Sequence, residues 1–269
     1  MIRLGLRVRR ERAELVLAEL LELAPNGVEE ADAGELVEFA VYGAPGELPE
    51  LPALRAAAGD ALCEVVTERL PEDWFDGWKR FHPPVLIGDR LRVRPPWEPA
   101  ATAGDRVDLV IDPGQAFGTG SHDTTRACLE LMLSLAPAGS FADIGCGSGV
   151  LAITAATLGW GPVLALDHEP AAVRAARANA QANRVEVEVR RFDLRREPPP
   201  ATGTIAANLL RPLLLELAAA MEQPPRHLVA GGLLRDQADE VAGAFRDAGL
   251  RETRRHEAGE WATLLLEGG

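Results

Sequence analysis

The chain has 269 residues, 47% of them hydrophobic and 26% charged, which suffices for a packed core and for a catalytic domain beside a small accessory one. Its formal charge of -13 argues against a nucleic-acid backbone as the main partner, because phosphate binding needs clustered positive charge, so no direct nucleic-acid requirement is expected. No run approaches the roughly 18 apolar residues of a membrane span, and Met1-Ile2-Arg3-Leu4 carries charge where a secretory segment is apolar, so no membrane is expected and a cytoplasmic location is.

In chain order, Ile2, Leu4, Leu6 and Val8 alternate as a strand face, and Glu11 to Ala24 shows helical spacing that Pro25-Asn26-Gly27 ends. Strand-like stretches at Leu36 to Tyr42 and Leu62 to Thr67 flank a helical segment near Leu51 to Ala58, so residues 1–69 are expected to form a small α+β, ferredoxin-like unit. Residues 1–75 hold seven arginines and no lysine against 16 acidic residues, either a solvated acidic surface or a face that steers a cationic protein. Residues 70–99 are expected to be a connector with Trp74 and Trp78 on one packed helical face, a short strand Arg90 to Arg94, then Pro95-Pro96-Trp97.

From 100 to 269 strands and helices alternate. Strands are expected at Val107 to Ile111, Phe141 to Asp143, Val163 to Leu166, Val185 to Arg190, Thr204 to Ala207 and Leu228 to Ala230. Helices are expected from Asp123 to Leu135, from Val150, from Ala171, from Pro212 to Met221 and from Ala238 to Ala248. A closing pair, Leu250 to Arg255 and Trp261 to Leu266, adds an antiparallel edge to what reads as an α/β, doubly wound parallel sheet, the Rossmann-like class.

Asp143-Ile144-Gly145-Cys146-Gly147-Ser148-Gly149-Val150 lies where a buried strand turns into a helix, a place where glycines let a ligand approach backbone N–H groups. The nicotinamide fingerprint needs glycine at Val150, which disfavours an oxidoreductase; the form with Asp143 ahead of Gly145, Gly147 and Gly149 resembles motif I of class I S-adenosylmethionine methyltransferases. The next strand ends at Asp167, 18 residues past Gly149 and close to the interval of about 20 expected for an acid that accepts hydrogen bonds from ribose hydroxyls. By that resemblance Asp193, after the third strand, meets the adenine amine. Asn208, at the end of the fourth, faces the transferred methyl as the candidate catalytic residue. Leu209 and Leu210 stand where enzymes acting on amide or nucleobase nitrogen carry Pro-Pro-Tyr, which argues for an aliphatic amine or another nucleophile. A binding protein with a degenerate site is disfavoured because Asp143, Asp167 and Asn208 are all present. Cys63, Cys128 and Cys146 are widely spaced and without a CxxC pair, so reduced thiols and no metal site are expected.

The stretch from Asp112 to Thr125, with Pro113-Gly114-Gln115-Ala116-Phe117-Gly118-Thr119-Gly120 and His122-Asp123-Thr124-Thr125, leads into a helix for which Asp123 or Ser121 is the expected cap. It closely resembles the signature of the ribosomal protein L-eleven methyltransferase family, PrmA. The resemblance extends through Glu72-Asp73-Trp74 with Trp78, Pro95 to Trp97, the Asp143 loop, Ala207-Asn208-Leu209 and Glu260-Trp261. It implies that Thr125, Gly145, Asp167 and Asn208 bind S-adenosylmethionine with Asp143 and Gly147, that Phe117, Gly118 and Thr119 belong to a loop over that cofactor, and that His122 bonds or packs there rather than acting as a base. It further implies transfer of methyl groups to lysine and N-terminal amines of a basic ribosomal protein recognised by the N-terminal unit. The N-terminal unit itself carries no matching motif, so a related lysine methyltransferase with a different protein substrate stays open.

Overall fold

The computed structural model describes residues 2–13, 16–17, 20, 28–43, 48, 51–69, 82–100, 106–113 and 122–269, and divides into two compact units, Met1–Phe81 and His82–Gly269. Pro25-Asn26-Gly27, Trp74 and Trp78 lie outside the described residues. No described helix is long and apolar enough to cross a membrane.

The first unit holds β1 (Ile2–Arg9), β2 (Glu29–Ala33), β3 (Leu36–Gly43), helix α1 (Leu51–Ala58) and β4 (Leu62–Arg69). All neighbours in the sheet order β2-β3-β1-β4 are antiparallel, which is the ferredoxin-like arrangement. Ala13, Val16, Leu17 and Leu20 are helical, within the stretch whose spacing predicts a helix. Leu4, Leu6 and Val8 of β1 pack with Val16, Leu20, Phe39 and Leu54 into one core, each large buried side chain contributing about 1.5–3 kcal/mol. Across the sheet, Arg7 bonds Glu38 at 2.6 Å and Glu64 at 2.7 Å, and Arg3 also reaches Glu38, so part of the acidic excess of this unit is paired.

In the second unit a seven-stranded sheet runs in the order β10 (Glu188–Arg191), β9 (Val163–Asp167), β8 (Phe141–Ile144), β11 (Thr204–Asn208), β12 (His227–Leu234), β14 (Trp261–Gly268), β13 (Leu250–Ala258). The first five are parallel, and β12, β14 and β13 pair antiparallel. Helices α2 (Asp123–Leu133), α3 (Val150–Leu158), α4 (Pro170–Asn183), α5 (Arg211–Ala220) and α6 (Ala238–Asp247) accompany it. Two separate buried clusters form, one around Leu129, Ile153 and Val173 and one around Leu214, Leu217 and Phe245. This is the class I methyltransferase arrangement: β8 is buried along its whole length and α3 is apolar nearly all round, as parallel strands covered on both faces require.

Three expectations need correction. Val107 to Ile111 reads as a strand of the main sheet, yet β7 (Val107–Val110) belongs to a separate three-stranded sheet with β5 (Val85–Ile87) and β6 (Leu91–Arg94). Alternation of strands and helices reveals a strand but not its sheet. The third parallel strand begins at Glu188 rather than at Val185, although Val185 and Val187 still pack on the core. The strand expected to stop at Ala230 continues to Leu234 through a register shift between Ala230 and Leu233, where Gly231 and Gly232 form an irregularity.

Candidate functional site

The site is built at the carboxyl ends of β8, β9 and β11, where open α/β sheets bind ligands. After β8 the chain turns through Gly145 (φ 75°), Gly147 (φ 51°) and Gly149 (φ 82°), conformations that side-chain-bearing residues rarely adopt. The Gly145 and Cys146 amides both donate to the Leu166 carbonyl, at 2.8 and 3.0 Å, which fixes the loop against β9. A Cβ on Gly145 would stand 2.3 Å from Leu209 Cδ2, so the loop and the segment after β11 approach as closely as a glycine allows.

Asp167 ends β9 and is 8% exposed. Its Oδ2 accepts from the Gly147 amide at 2.9 Å and its Oδ1 from the Glu169 amide at 3.0 Å. Together with Gly145, His168, Phe192, Asp193 and Leu209 it lines a cavity open to solvent. Asp193 is held there through the Arg195 amide, 3.1 Å from Oδ1, and Arg196 Nε, 3.3 Å from Oδ2.

Asp143 lies beneath the loop, fully buried. Its Oδ2 accepts from the Ala152 amide at 3.1 Å, capping the start of α3, while its Oδ1 has no partner among the described residues. Burial pushes this carboxyl up to about 7; the Ala152 amide opposes the shift and the Asp167 carboxylate adds to it. Burial likewise raises the thiols of Cys128 and Cys146, which face the same acid. The folded value for Asp143 lies above the unfolded one near about 3.9. Its contribution to stability is therefore complete below about pH 3.9 and is lost as pH rises through about 7. Between about pH 5 and pH 7.5 the melting temperature of the ligand-free wild type should drop relative to that of Asp143→Asn, measured by calorimetry. Parallel curves for the two proteins would refute this.

Asn208 closes β11. Its Nδ2 donates to Thr124 Oγ1 at 3.2 Å and to Thr125 Oγ1 at 3.3 Å, joining it to the first turn of α2, while its Oδ1 is buried without a partner among the described residues. The irregularity in β12 makes room for it: a Cβ on Gly231 would fall 2.9 Å from Asn208 Oδ1 and 2.6 Å from Cys128 Sγ, and one on Gly232 (φ 80°) would strike the Leu209 carbonyl at 2.5 Å. His122 is the cap of α2, in place of the expected Asp123 or Ser121. Its Nδ1 accepts from the Thr124 amide at 3.3 Å and contacts Thr124 Oγ1 at 2.8 Å, and its ring stands edge-on to Trp261 at 5.3 Å. The imidazole can replace the preferred oxygen caps because an unprotonated ring nitrogen is also an acceptor.

Of the residues singled out in the sequence, Gly145, Asp167 and Asp193 line one cavity, Gly147 is tied to Asp167, and Thr125 is bonded to Asn208. Phe117, Gly118 and Thr119 lie outside the described residues, as does Ser121. Sequence reasoning missed Thr124, which shares the Asn208 amide with Thr125, and Gly231 with Gly232; the doubled threonine and doubled glycine were the available signals.

A model of the family described as ribosomal protein L11 methyltransferase (PrmA) matches residues 53–268. The chain belongs to this family. A relative named ribosomal protein L11 methyltransferase from Burkholderia cenocepacia is 36% identical over 286 residues, covering 95% of this chain and 94% of the relative. One of the same name from Chloroflexus aurantiacus is 38% identical over 224 residues, covering 72% and 68%. A crystal structure of ribosomal protein L11 methylase from Lactobacillus delbrueckii subsp. bulgaricus superposes with a TM-score of 0.62 at 26% identity, over 70% of this chain and 100% of that one. The family match spans the glycine loop, Asp167, Asn208 and the β12 irregularity, so this PrmA-family methyltransferase carries the whole described site within the matched region.

Proposed function

We propose that this methyltransferase transfers methyl groups from S-adenosylmethionine to lysine side-chain amines and the N-terminal α-amino group of ribosomal protein L11. The observation that carries the reading is the Asn208 carboxamide. With Nδ2 engaged by two threonine hydroxyls, it leaves a buried oxygen free to accept a hydrogen bond, and an amine nucleophile has the N–H to give it.

The residues present fit the cofactor. The Asp167 carboxylate at the cavity wall suits ribose hydroxyls and Asp193 the adenine amine, and Gly145 stands in the same lining. Asp143 adds an unpaired buried oxygen below the loop, and Thr125, Phe117, Gly118 and Thr119 complete the proposed binding set. S-adenosylmethionine, when bound, supplies a methyl group made electrophilic by a positively charged sulfur.

The protein's part is to present a neutral amine. A lysine amine has a pKa of about 10.4, and desolvation together with a nearby positive charge lowers it. Asn208 Oδ1 accepts from the amine N–H and aims its lone pair, and positioning of this kind supplies much of the acceleration without a dedicated base. His122 serves through Thr124 rather than by taking the proton. Leu209 lines the cavity and Leu210 is 68% exposed beside it, an apolar border for an alkyl side chain.

Residues 1–69 are assigned to substrate recognition, with 70–99 as the connector and 100–269 as the methyltransferase domain. The acidic excess of the N-terminal region favours association with a basic partner. Deleting residues 1–69 should therefore preserve binding of S-adenosylhomocysteine but remove most methylation of purified L11, and in the intact enzyme association with L11 should weaken as salt rises. A truncated chain that methylates L11 at the full-length rate would place recognition in the methyltransferase domain. Labelling of a different protein in a lysate, with L11 unlabelled, would favour a related enzyme with another substrate.

A further inference from the structure

Helix α4 is rich in alanine, yet it carries two asparagines one turn apart on one face, Asn179 and Asn183. Asparagine in a helix interior costs several tenths of a kcal/mol relative to alanine, and Asn179 is only 3% exposed. Both carboxamides are engaged through oxygen and nitrogen alike. Asn183 Oδ1 accepts from the Val110 amide at 2.8 Å, and its Nδ2 donates to the Val110 carbonyl at 2.6 Å and to the Asn179 carbonyl at 2.8 Å. Asn183 thus satisfies the end of β7 in place of a neighbouring strand, a purely structural task.

Asn179 does something different. Its Oδ1 accepts from the Asp112 amide at 3.0 Å, and its Nδ2 donates to the Ser148 carbonyl at 2.9 Å. Asp112 lies two residues beyond β7, and Ser148 lies within the glycine loop, immediately before the residue that caps α3. One buried side chain therefore ties two backbone segments 36 positions apart in sequence to the same point on α4. The amide of Gly147, one residue before Ser148, is meanwhile held by Asp167.

We propose that Asn179 is a positioning residue of the glycine loop, holding the Ser148 and Asp112 peptides in one register so that occupancy of the loop is felt at the end of β7. This rests on the reading that S-adenosylmethionine binds at that loop. Loss of the carboxamide removes the bonds to the Ser148 carbonyl and the Asp112 amide and lets the loop relax away from the geometry that receives the ligand, at a cost comparable to a tenfold change in affinity.

The test measures binding of S-adenosylhomocysteine by calorimetry, melting temperature, and hydrogen exchange of the Asp112 amide. In the wild type the ligand should slow exchange at Asp112, a readout that needs no variant and that a merely structural contact would not move. Asn179→Ala should weaken binding roughly tenfold, whereas Asn183→Ala should lower the melting temperature with affinity changed less than about twofold. Wild-type affinity in Asn179→Ala, equal weakening in both variants, or exchange at Asp112 indifferent to ligand would each overturn the proposal. A wild type that fails to bind S-adenosylhomocysteine would overturn the cofactor reading itself, a distinct outcome.

Discussion

Asn208→Ala should lower the turnover of L11 methylation about a hundredfold, the scale on which a misoriented nucleophile loses rate. The substitution removes the acceptor proposed to receive the amine N–H, an oxygen with no partner among the described residues, and it releases the Thr124 and Thr125 hydroxyls. Stability should change by no more than about 1 kcal/mol, because only two long hydrogen bonds are lost and the Oδ1 had none. Asn208→Asp separates geometry from charge. A carboxylate there favours the protonated amine, so the variant's rate should recover as pH rises, further than the wild type's does. Steady-state rates with purified L11 decide the matter; turnover within about threefold of wild type in Asn208→Ala would remove Asn208 from the account.

The second large effect is expected at Asp167. Asp167→Ala deletes the acceptor proposed for the ribose and also the two bonds that hold the Gly147 and Glu169 amides, so the loop loses its pin as well as its ligand contact. Calorimetry with S-adenosylhomocysteine should show binding weaker by about 1.5–3 kcal/mol. An unchanged affinity would show that the cavity beside Asp167 is not where the cofactor sits. Asp167→Asn offers a finer reading, since it keeps the shape but turns one acceptor into a donor facing either the Gly147 or the Glu169 amide. It should therefore fall between alanine and wild type in affinity.

What the sequence disclosed and what it withheld follow from how each feature is encoded. The placement of Asp143, the three glycines and Asp167 was legible because a buried parallel strand is visible as a short apolar run closed by an acid or a glycine. The ferredoxin-like unit was legible in its alternating strand faces. The membership of β7 was not, since the sheet a strand joins is decided by partners elsewhere in the chain. In this case those partners are β6 and the Asn183 carboxamide of α4. Asn179 and Asn183 read in sequence as indifferent polar residues of a helix, and only the arrangement in space shows them serving backbone far away. His122 lies outside the usual cap preferences, which describe oxygen side chains, and the strand expected to end at Ala230 runs on because a glycine pair is compatible with an irregularity within a continuing strand.

The most direct test is mass spectrometry of purified ribosomal protein L11 after incubation with this enzyme and S-adenosylmethionine, with each added methyl mapped to its residue. The account predicts methyl groups on lysine ε-amines and on the N-terminal α-amine, all dependent on Asn208 and Asp167. An L11 that gains no methyl group, or gains it on a carboxylate or an amide nitrogen, would contradict it.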